Sequence, residues 1–155
     1  MNYFTNFLSQ AELKIVRELL DDAAWRFGYT SNDPNKPIWN FHKTKAGKIA
    51  EIVANKLIDY ELVDYHINGQ TIGLTADIHV DVNCTHAFVF FPNKWKYVWG
   101  GRLHIFTDQG PQVVNPQENF GVLFDASLPH YAEAPVENIL RISIGLKLRK
   151  KNGTA

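Results

Sequence analysis

The sequence predicts one domain, mainly β, in which two N-terminal helices pack against one outer face of an antiparallel double sheet. Three observations carry this. Long helical periodicity is confined to the first third of the chain. Beyond it the texture changes to short apolar or alternating runs divided by turn residues. The last of these runs has one long apolar face, enough to seat both helices. At 155 residues the chain can bury a real core and fits a single domain over 1–155. Its helical part covers about 1–60 and its β core about 61–149.

Taken in order, Ser9-Gln10-Ala11-Glu12 has the form of a capping box, with Ser9 as cap. Leu13, Val16, Leu19, Leu20, Ala23, Ala24 and Phe27 follow at helical spacing, and Gly28 ends the run. Thr30 to Pro37 holds Ser, Asn, Asp and two prolines and reads as a loop. A second helix is predicted from about Thr44 to Asp59, with Ala46, Ile49, Val53 and Leu57 on one face. Glu61 to Asn68 alternates loosely and is expected to stop at the Asn68-Gly69 turn signal. Ile78 to Val82 reads as a strand. Ala87 to Phe91 is apolar throughout, as in a strand buried on both faces, and Pro92-Asn93 closes it. Arg102 to Phe106, Gln112 to Val114, Phe120 to Phe124 and Ile139 to Leu148 complete the set. In the last, Leu140, Ile142, Ile144, Leu146 and Leu148 share one face, and Arg141, Ser143, Gly145 and Lys147 share the other. With the apolar face on the helices, Arg141 and Ser143 point between the sheets. A buried arginine there calls for a carboxylate nearby.

Composition narrows the function. Lys plus Arg (16) equals Asp plus Glu (16), which argues against a dominant nucleic-acid surface. The strongly basic run Lys147-Leu148-Arg149-Lys150-Lys151 reads as a solvated tail. A lone cysteine, Cys84, cannot form an internal disulfide and fits a reducing compartment. No run is apolar enough to span a bilayer, and the first residues lack a secretion signal, so a cytoplasmic location is expected.

The chemistry concentrates at His79-Val80-Asp81, with His130 and Arg141 downstream. On a strand, residues i and i+2 share a face, so the His79 imidazole and Asp81 carboxylate can reach one point. A third ligand from a distant strand completes a two-His, one-carboxylate face, which leaves open metal positions and suits non-haem Fe(II). His-x-Asp alone is a common accident. His130 strengthens it, because it follows the turn-like Asp125-Ala126-Ser127 at a strand mouth. His86 and His104 are rival ligands. Arg141 reads either as a carboxylate clamp with Ser143 or as a surface partner of Glu133 or Glu137. Gly100-Gly101 marks a turn or bulge. Trp95, Tyr97 and Trp99 fit core packing or the wall of a mouth equally well.

Together these residues resemble a known family. His79-Val80-Asp81, Phe90-Phe91-Pro92-Asn93-Lys94-Trp95, Gly100-Gly101-Arg102-Leu103-His104-Ile105-Phe106, Val122-Leu123-Phe124, Pro129-His130 and Arg141-Ile142-Ser143 occur in the order and approximate spacing of the Fe(II)- and 2-oxoglutarate-dependent oxygenases. The pattern is most like the prolyl 4-hydroxylase branch, which includes the oxygen-sensing prolyl hydroxylases. The resemblance implies a double-stranded β-helix, or jelly roll, with helices on one sheet. It implies Fe(II) held by His79, Asp81 and His130, with 2-oxoglutarate and O2 as co-substrates and Arg141 on the distal carboxylate, assisted by Ser143. Phe91 stands where near relatives carry a tyrosine hydroxyl, so Ser143, Tyr65 or water is expected in its place. Trp95, Tyr97, Trp99 and Arg102 are the candidate substrate contacts.

The function expected on this basis is hydroxylation of a prolyl residue in a peptide or protein, with release of succinate and CO2. The same chemistry on a free amino acid or small metabolite is the alternative. Three readings from other classes compete: a nucleic-acid repair oxygenase, a non-oxidative cupin-like protein using His79, His104 and His130 with zinc, and a metal-free jelly-roll binding module.

Overall fold

The computed structural model describes residues 1–22, 24–28, 38–41 and 43–152, so the loop expected at Thr30 to Pro37 lies outside the described residues. Helix α1 (Gln10–Leu20) starts at the capping box: Glu12 N–H donates to Ser9 Oγ at 3.1 Å, and Ser9 N–H donates to Glu12 Oε1 at 3.0 Å. Asp21 caps its C-terminus. The periodicity predicted a helix on to Phe27, but Trp25 and Phe27 belong to a strand. After β1 (Asn2–Phe4), β2 (Trp25–Gly28) pairs antiparallel with β3 (Ile38–Phe41), setting Trp25 against Phe41 and Phe27 against Trp39. Aromatic cross-strand pairing outweighs the helical pattern there. The first 60 residues thus contribute three strands as well as helix α2 (Lys43–Ala54), which is shorter than expected. Leu57, beyond its end, is still buried with Ile49 and Val53.

The remaining strands are β4 (Tyr60–Gln70), β5 (His86–Phe91), β6 (Leu103–Thr107), β7 (Gly110–Val114), β8 (Phe120–Asp125), β9 (His130–Ala132) and β10 (Arg141–Lys150). They form a seven-stranded sheet, β1-β8-β5-β10-β4-β3-β2, facing a three-stranded one, β7-β6-β9. This is the jelly-roll arrangement, and every ladder is antiparallel. The predicted strand over Ile78 to Val82 is an extended segment that bridges the small sheet at His79 alone. No helix among the described residues is long and apolar enough to cross a membrane.

Two cores follow from alternation along the strands. Phe88 and Phe90 of β5 and Ile144, Leu146 and Leu148 of β10 face the helices, meeting Leu13, Val16, Ile49 and Val53. Ala87 and Phe91 face the other way, meeting Leu103, Ile105, Val122 and Phe124 between the sheets. The expected turn at Asn68-Gly69 does not form, and β4 runs straight through it. Gly69 is there for close approach: a Cβ would stand 2.9 Å from both Leu140 Cδ1 and Trp25 Cζ3.

Gly121 of β8 is tighter still, since a Cβ there would overlap the wholly buried Phe88 ring. That ring is wedged against Phe4 and Phe7 and has no room to turn. Gly121→Ala is therefore expected to cost about 3 kcal/mol by overpacking. Urea unfolding should show a lower midpoint with an unchanged slope.

Candidate active site

His79 and His130 face each other across one antiparallel bridge. His79 N–H donates to His130 O at 3.0 Å, and His130 N–H donates to His79 O at 2.9 Å. Asp81 N–H donates to Ala126 O at 3.0 Å, which docks the second half of the segment on the turn before β9. That turn is held by Asp125, whose Oδ1 accepts from the Ser127 N–H (2.8 Å) and hydroxyl (2.6 Å). One donor atom from each of His79, Asp81 and His130 lies within 4.8 Å of the others.

The ring orientations say more than the clustering. His79 Nδ1 lies 2.9 Å from the Asp77 carbonyl, and His130 Nδ1 lies 2.8 Å from the Leu128 carbonyl. A carbonyl only accepts, so both Nδ1 atoms carry the proton and both Nε2 atoms present a lone pair. Burial holds the His130 pKa below its ordinary value, partly opposed by the Leu128 carbonyl, which favours that neutral tautomer. Its Nε2 lies 3.5 Å from Asp81 Oδ2. That is too long for a hydrogen bond. It is close enough for both atoms to share one ion at about 2.1 Å each. A lone pair facing a carboxylate oxygen in a half-dry pocket is a site that wants a cation.

Arg141 supplies the second feature. Its side chain is 1 % exposed and lies over the Phe91 ring, 5.2 Å from the centroid. Nε donates to Gly101 O at 2.6 Å, and Nη1 donates to Gln70 Oε1 at 2.9 Å and Ser143 Oγ at 3.3 Å. Nη2 is buried with no partner among the described residues. The carboxylate expected beside this arginine is absent from its hydrogen bonds: neutral acceptors hold it instead. Burial lowers its pKa to about 10, with Glu133 opposing from farther off. Gly101, at φ 70°, lets the chain pass close: a Cβ there would stand 3.0 Å from Arg141 Cδ and 3.1 Å from Trp95 Cζ2.

Both features line one cavity of about 470 Å³ between the sheets. Ser143 lines it beside Arg141. Tyr65, a candidate for the missing hydroxyl, also borders it but lies on the opposite face of β4 from Gln70. Its hydroxyl is directed at α2, where a Cβ on Gly47 would stand 3.1 Å from it. Ser143 is the hydroxyl that reaches Arg141. Trp95, Tyr97, Trp99 and Arg102 are not among the cavity-lining residues. Trp95 backs Arg141 through Gly101 and meets Trp99 edge to face, while Arg102 lies over the exposed Tyr97 ring and near Glu133. His104, the rival ligand of the cupin-like reading, faces away from Leu103 and Ile105. It bonds Glu133 at 2.8 Å and stacks on Tyr131, so it is not part of the ligand cluster. His86 bonds Thr85 at the far end of β5.

Several polar residues of the cavity were missed as site candidates, among them Gln70, Lys147 and His66. Gln70 was hidden by the false turn at Asn68-Gly69. Lys147, read as the start of a basic tail, turns inward, with Nζ 3.5 Å from Asp81 Oδ1. Its alternation with Arg141 was the available signal. His66 lies opposite Gly145, where a Cβ would stand 2.6 Å from its Nε2.

His66 is exposed where it borders the open cavity, yet protein packed about its ring desolvates it and lowers its pKa from 6.5 to about 4, against the pull of Asp81. His66 and His130 therefore stay neutral in the fold where the unfolded chain protonates them. Between pH 6.5 and about 4 the unfolded state binds more protons, so stability falls as pH drops through that window. Urea midpoints of the metal-free protein should fall below pH 6.5, and less steeply for His66→Asn.

A scan of protein-family models finds no match, and a search of curated proteins finds none. Solved structures do match. An oxidoreductase of the 2OG-Fe(II) oxygenase family from Burkholderia pseudomallei matches 93% of this chain and 81% of its own, with a TM-score of 0.71 and 13% identity. A prolyl hydroxylase from Trichoplax adhaerens, in complex with a hypoxia inducible factor oxygen degradation domain peptide fragment, matches 96% of this chain and 83% of its own (TM-score 0.69, 17% identity). A non-heme alpha ketoglutarate dependent carbocyclase from nogalamycin biosynthesis matches 96% and 78% (TM-score 0.64, 12% identity). The resemblance read in the sequence thus holds at the level of the fold: this chain has the jelly roll found in 2-oxoglutarate oxygenase structures.

Proposed function

We propose that the protein is an Fe(II)- and 2-oxoglutarate-dependent dioxygenase that hydroxylates a prolyl residue in a peptide or protein. One observation carries the oxygenase reading: Arg141, whose buried Nη2 has no partner among the described residues, lines the same cavity as His79, Asp81 and His130. A buried guanidinium with Nη2 unused wants an anion, and the three donors want a divalent ion. A dianion that chelates the metal at one end and meets Arg141 at the other satisfies both.

With Fe(II), 2-oxoglutarate and O2 bound, the centre supplies one oxygen atom to a substrate C–H bond and the other to succinate, as CO2 is lost. The chain's own residues bind and orient. His79 and His130 offer Nε2, fixed by their Nδ1–H bonds to carbonyls. Asp81 would offer a carboxylate oxygen, the anionic donor of the three. Gln70, Ser143 and the Gly101 carbonyl hold the guanidinium fork in place, and the Phe91 ring excludes water beneath it.

The prolyl substrate rests on the resemblance and on the fold shared with a peptide-bound prolyl hydroxylase. A second reading, a free amino acid or small metabolite, is favoured by the cavity's polar wall, to which β4 contributes Asp64, His66 and Asn68. Anaerobic titration with Fe(II) and then 2-oxoglutarate tests the first step. A visible charge-transfer band that requires both supports the oxygenase reading, and its absence refutes it. A gain of 16 mass units on a proline peptide, with stoichiometric succinate, supports the prolyl substrate. The same gain on a free metabolite alone selects the second reading.

A further inference from the structure

The proposed co-substrate accounts for one end of the cavity. Arg141 and Lys147 both line it from the same face of β10. Six residues at about 3.3 Å each put their Cα atoms roughly 20 Å apart. His66 lies over Gly145 between them. On the oxygenase reading, the co-substrate takes the Arg141 end and the metal donors, and the Lys147 side is left to the substrate.

Lys147 extends toward the metal donors. Its Nζ is 3.5 Å from Asp81 Oδ1, while Oδ2 of the same carboxylate faces His130 Nε2. Both side chains are largely enclosed, at 21 % and 8 % exposed. Among the described residues, Asp81 is the carboxylate that pairs with Lys147. Asp64 stands opposite Lys147 on β4, but its Oδ1 accepts from the Tyr65 N–H at 2.8 Å. A divalent ion on Asp81 draws on the carboxylate that Lys147 uses and repels the ammonium. The ion takes up the charges of Asp81 and of the co-substrate's chelating carboxylate, which leaves the enclosed Lys147 ammonium to be matched by a further anion.

The geometry points to a carboxylate on the substrate, bound by Lys147, with the carbon to be hydroxylated one or two bonds from that carboxylate and so beside the metal. This inference rests on the oxygenase reading and narrows its substrate. A free amino acid or carboxylic acid fits directly. A prolyl peptide fits only where a C-terminal or side-chain carboxylate reaches Lys147.

The test uses the full chain loaded anaerobically with Fe(II) and 2-oxoglutarate. The probes are free amino acids and small carboxylic acids, each beside its amide, such as proline and prolinamide, together with an end-blocked prolyl peptide lacking acidic residues. The readout is perturbation of the charge-transfer band. At least one acid should bind ten-fold or more tighter than its amide. Lys147→Met should lose that preference ten-fold or more with 2-oxoglutarate affinity unchanged, and Lys147→Arg should restore most of it. Equal binding of acid and amide, no response to any acid, tight binding of the blocked peptide, or an unaltered acid preference in Lys147→Met would each overturn the inference. Weakened 2-oxoglutarate binding in Lys147→Met overturns it too, by assigning the lysine to the co-substrate. A missing band with Fe(II) and 2-oxoglutarate alone overturns the oxygenase reading itself, which separates the two failures.

Discussion

Asp81→Ala is expected to lower Fe(II) affinity by at least a hundredfold and to reduce 2-oxoglutarate-coupled succinate formation to background. The carboxylate is the anionic donor of the three, and without it a dication would sit between two neutral imidazoles and the Lys147 ammonium. Outer partners of metal ligands alone are worth ten- to a hundredfold, so loss of a direct charged ligand lies beyond that. Asp81 is a cleaner choice than His130, whose ring packs edge-on against Phe124 and is 5 % exposed, so that its removal leaves a cavity. The metal-free Asp81→Ala protein should melt below the parent, because the relief of the 3.5 Å contact between Asp81 Oδ2 and the His130 lone pair is outweighed by an enclosed Lys147 ammonium left without its partner carboxylate. Calorimetric metal titration and thermal unfolding of the same sample check both halves. Full metal affinity in the variant would remove the triad from the mechanism, whatever the activity.

The parts of this molecule that read correctly from sequence are those decided by neighbours in the chain. The Ser9 cap is local chemistry, satisfied within three residues. The two faces of β10 are period-two alternation, and Arg141 and Ser143 turn inward as that predicts. The errors share a cause. Trp25 and Phe27 fit a helical stripe as well as a strand, and only pairing with the distant β3 decides between them. Asn68-Gly69 has turn chemistry, yet Gly69 is used to let Leu140 and the tryptophans approach, and Gln70 beyond it ends up under Arg141. Within the site, His79, Asp81 and His130 could be named as residue types. Their convergence comes from one bridge between segments some fifty residues apart, which the family resemblance supplied and spacing could not. Lys147 shows the limit of compositional reading, since a basic run looks solvated until alternation is applied to its first member.

Arg141→Met separates the cofactor claim from stability most sharply. The substitution removes a buried guanidinium that has no carboxylate on it and an Nη2 without a partner. It also leaves the Gly101 carbonyl and Gln70 Oε1 without their donor. Removing a desolvated charge is worth one to a few kcal/mol, and orphaning two acceptors costs about as much, so the metal-free protein is expected within about 1 kcal/mol of its parent. The methionine fills most of the space over Phe91 without strain. Binding is another matter. A carboxylate that meets the unused Nη2 gains a charge-assisted bond of about 1.5–3 kcal/mol, so 2-oxoglutarate affinity should fall roughly ten- to a hundredfold. Arg141→Lys keeps the charge without the fork and should lie between. The metal donors are untouched, so Fe(II) affinity should stay at the parental value. Parent and variant should therefore unfold alike until 2-oxoglutarate is added with the metal. The parent's transition then moves up with ligand concentration, and that of Arg141→Met stays where it was. A variant that unfolds far more easily without ligand would mark Arg141 as a structural residue of the core, and the empty valence on Nη2 would lose its meaning.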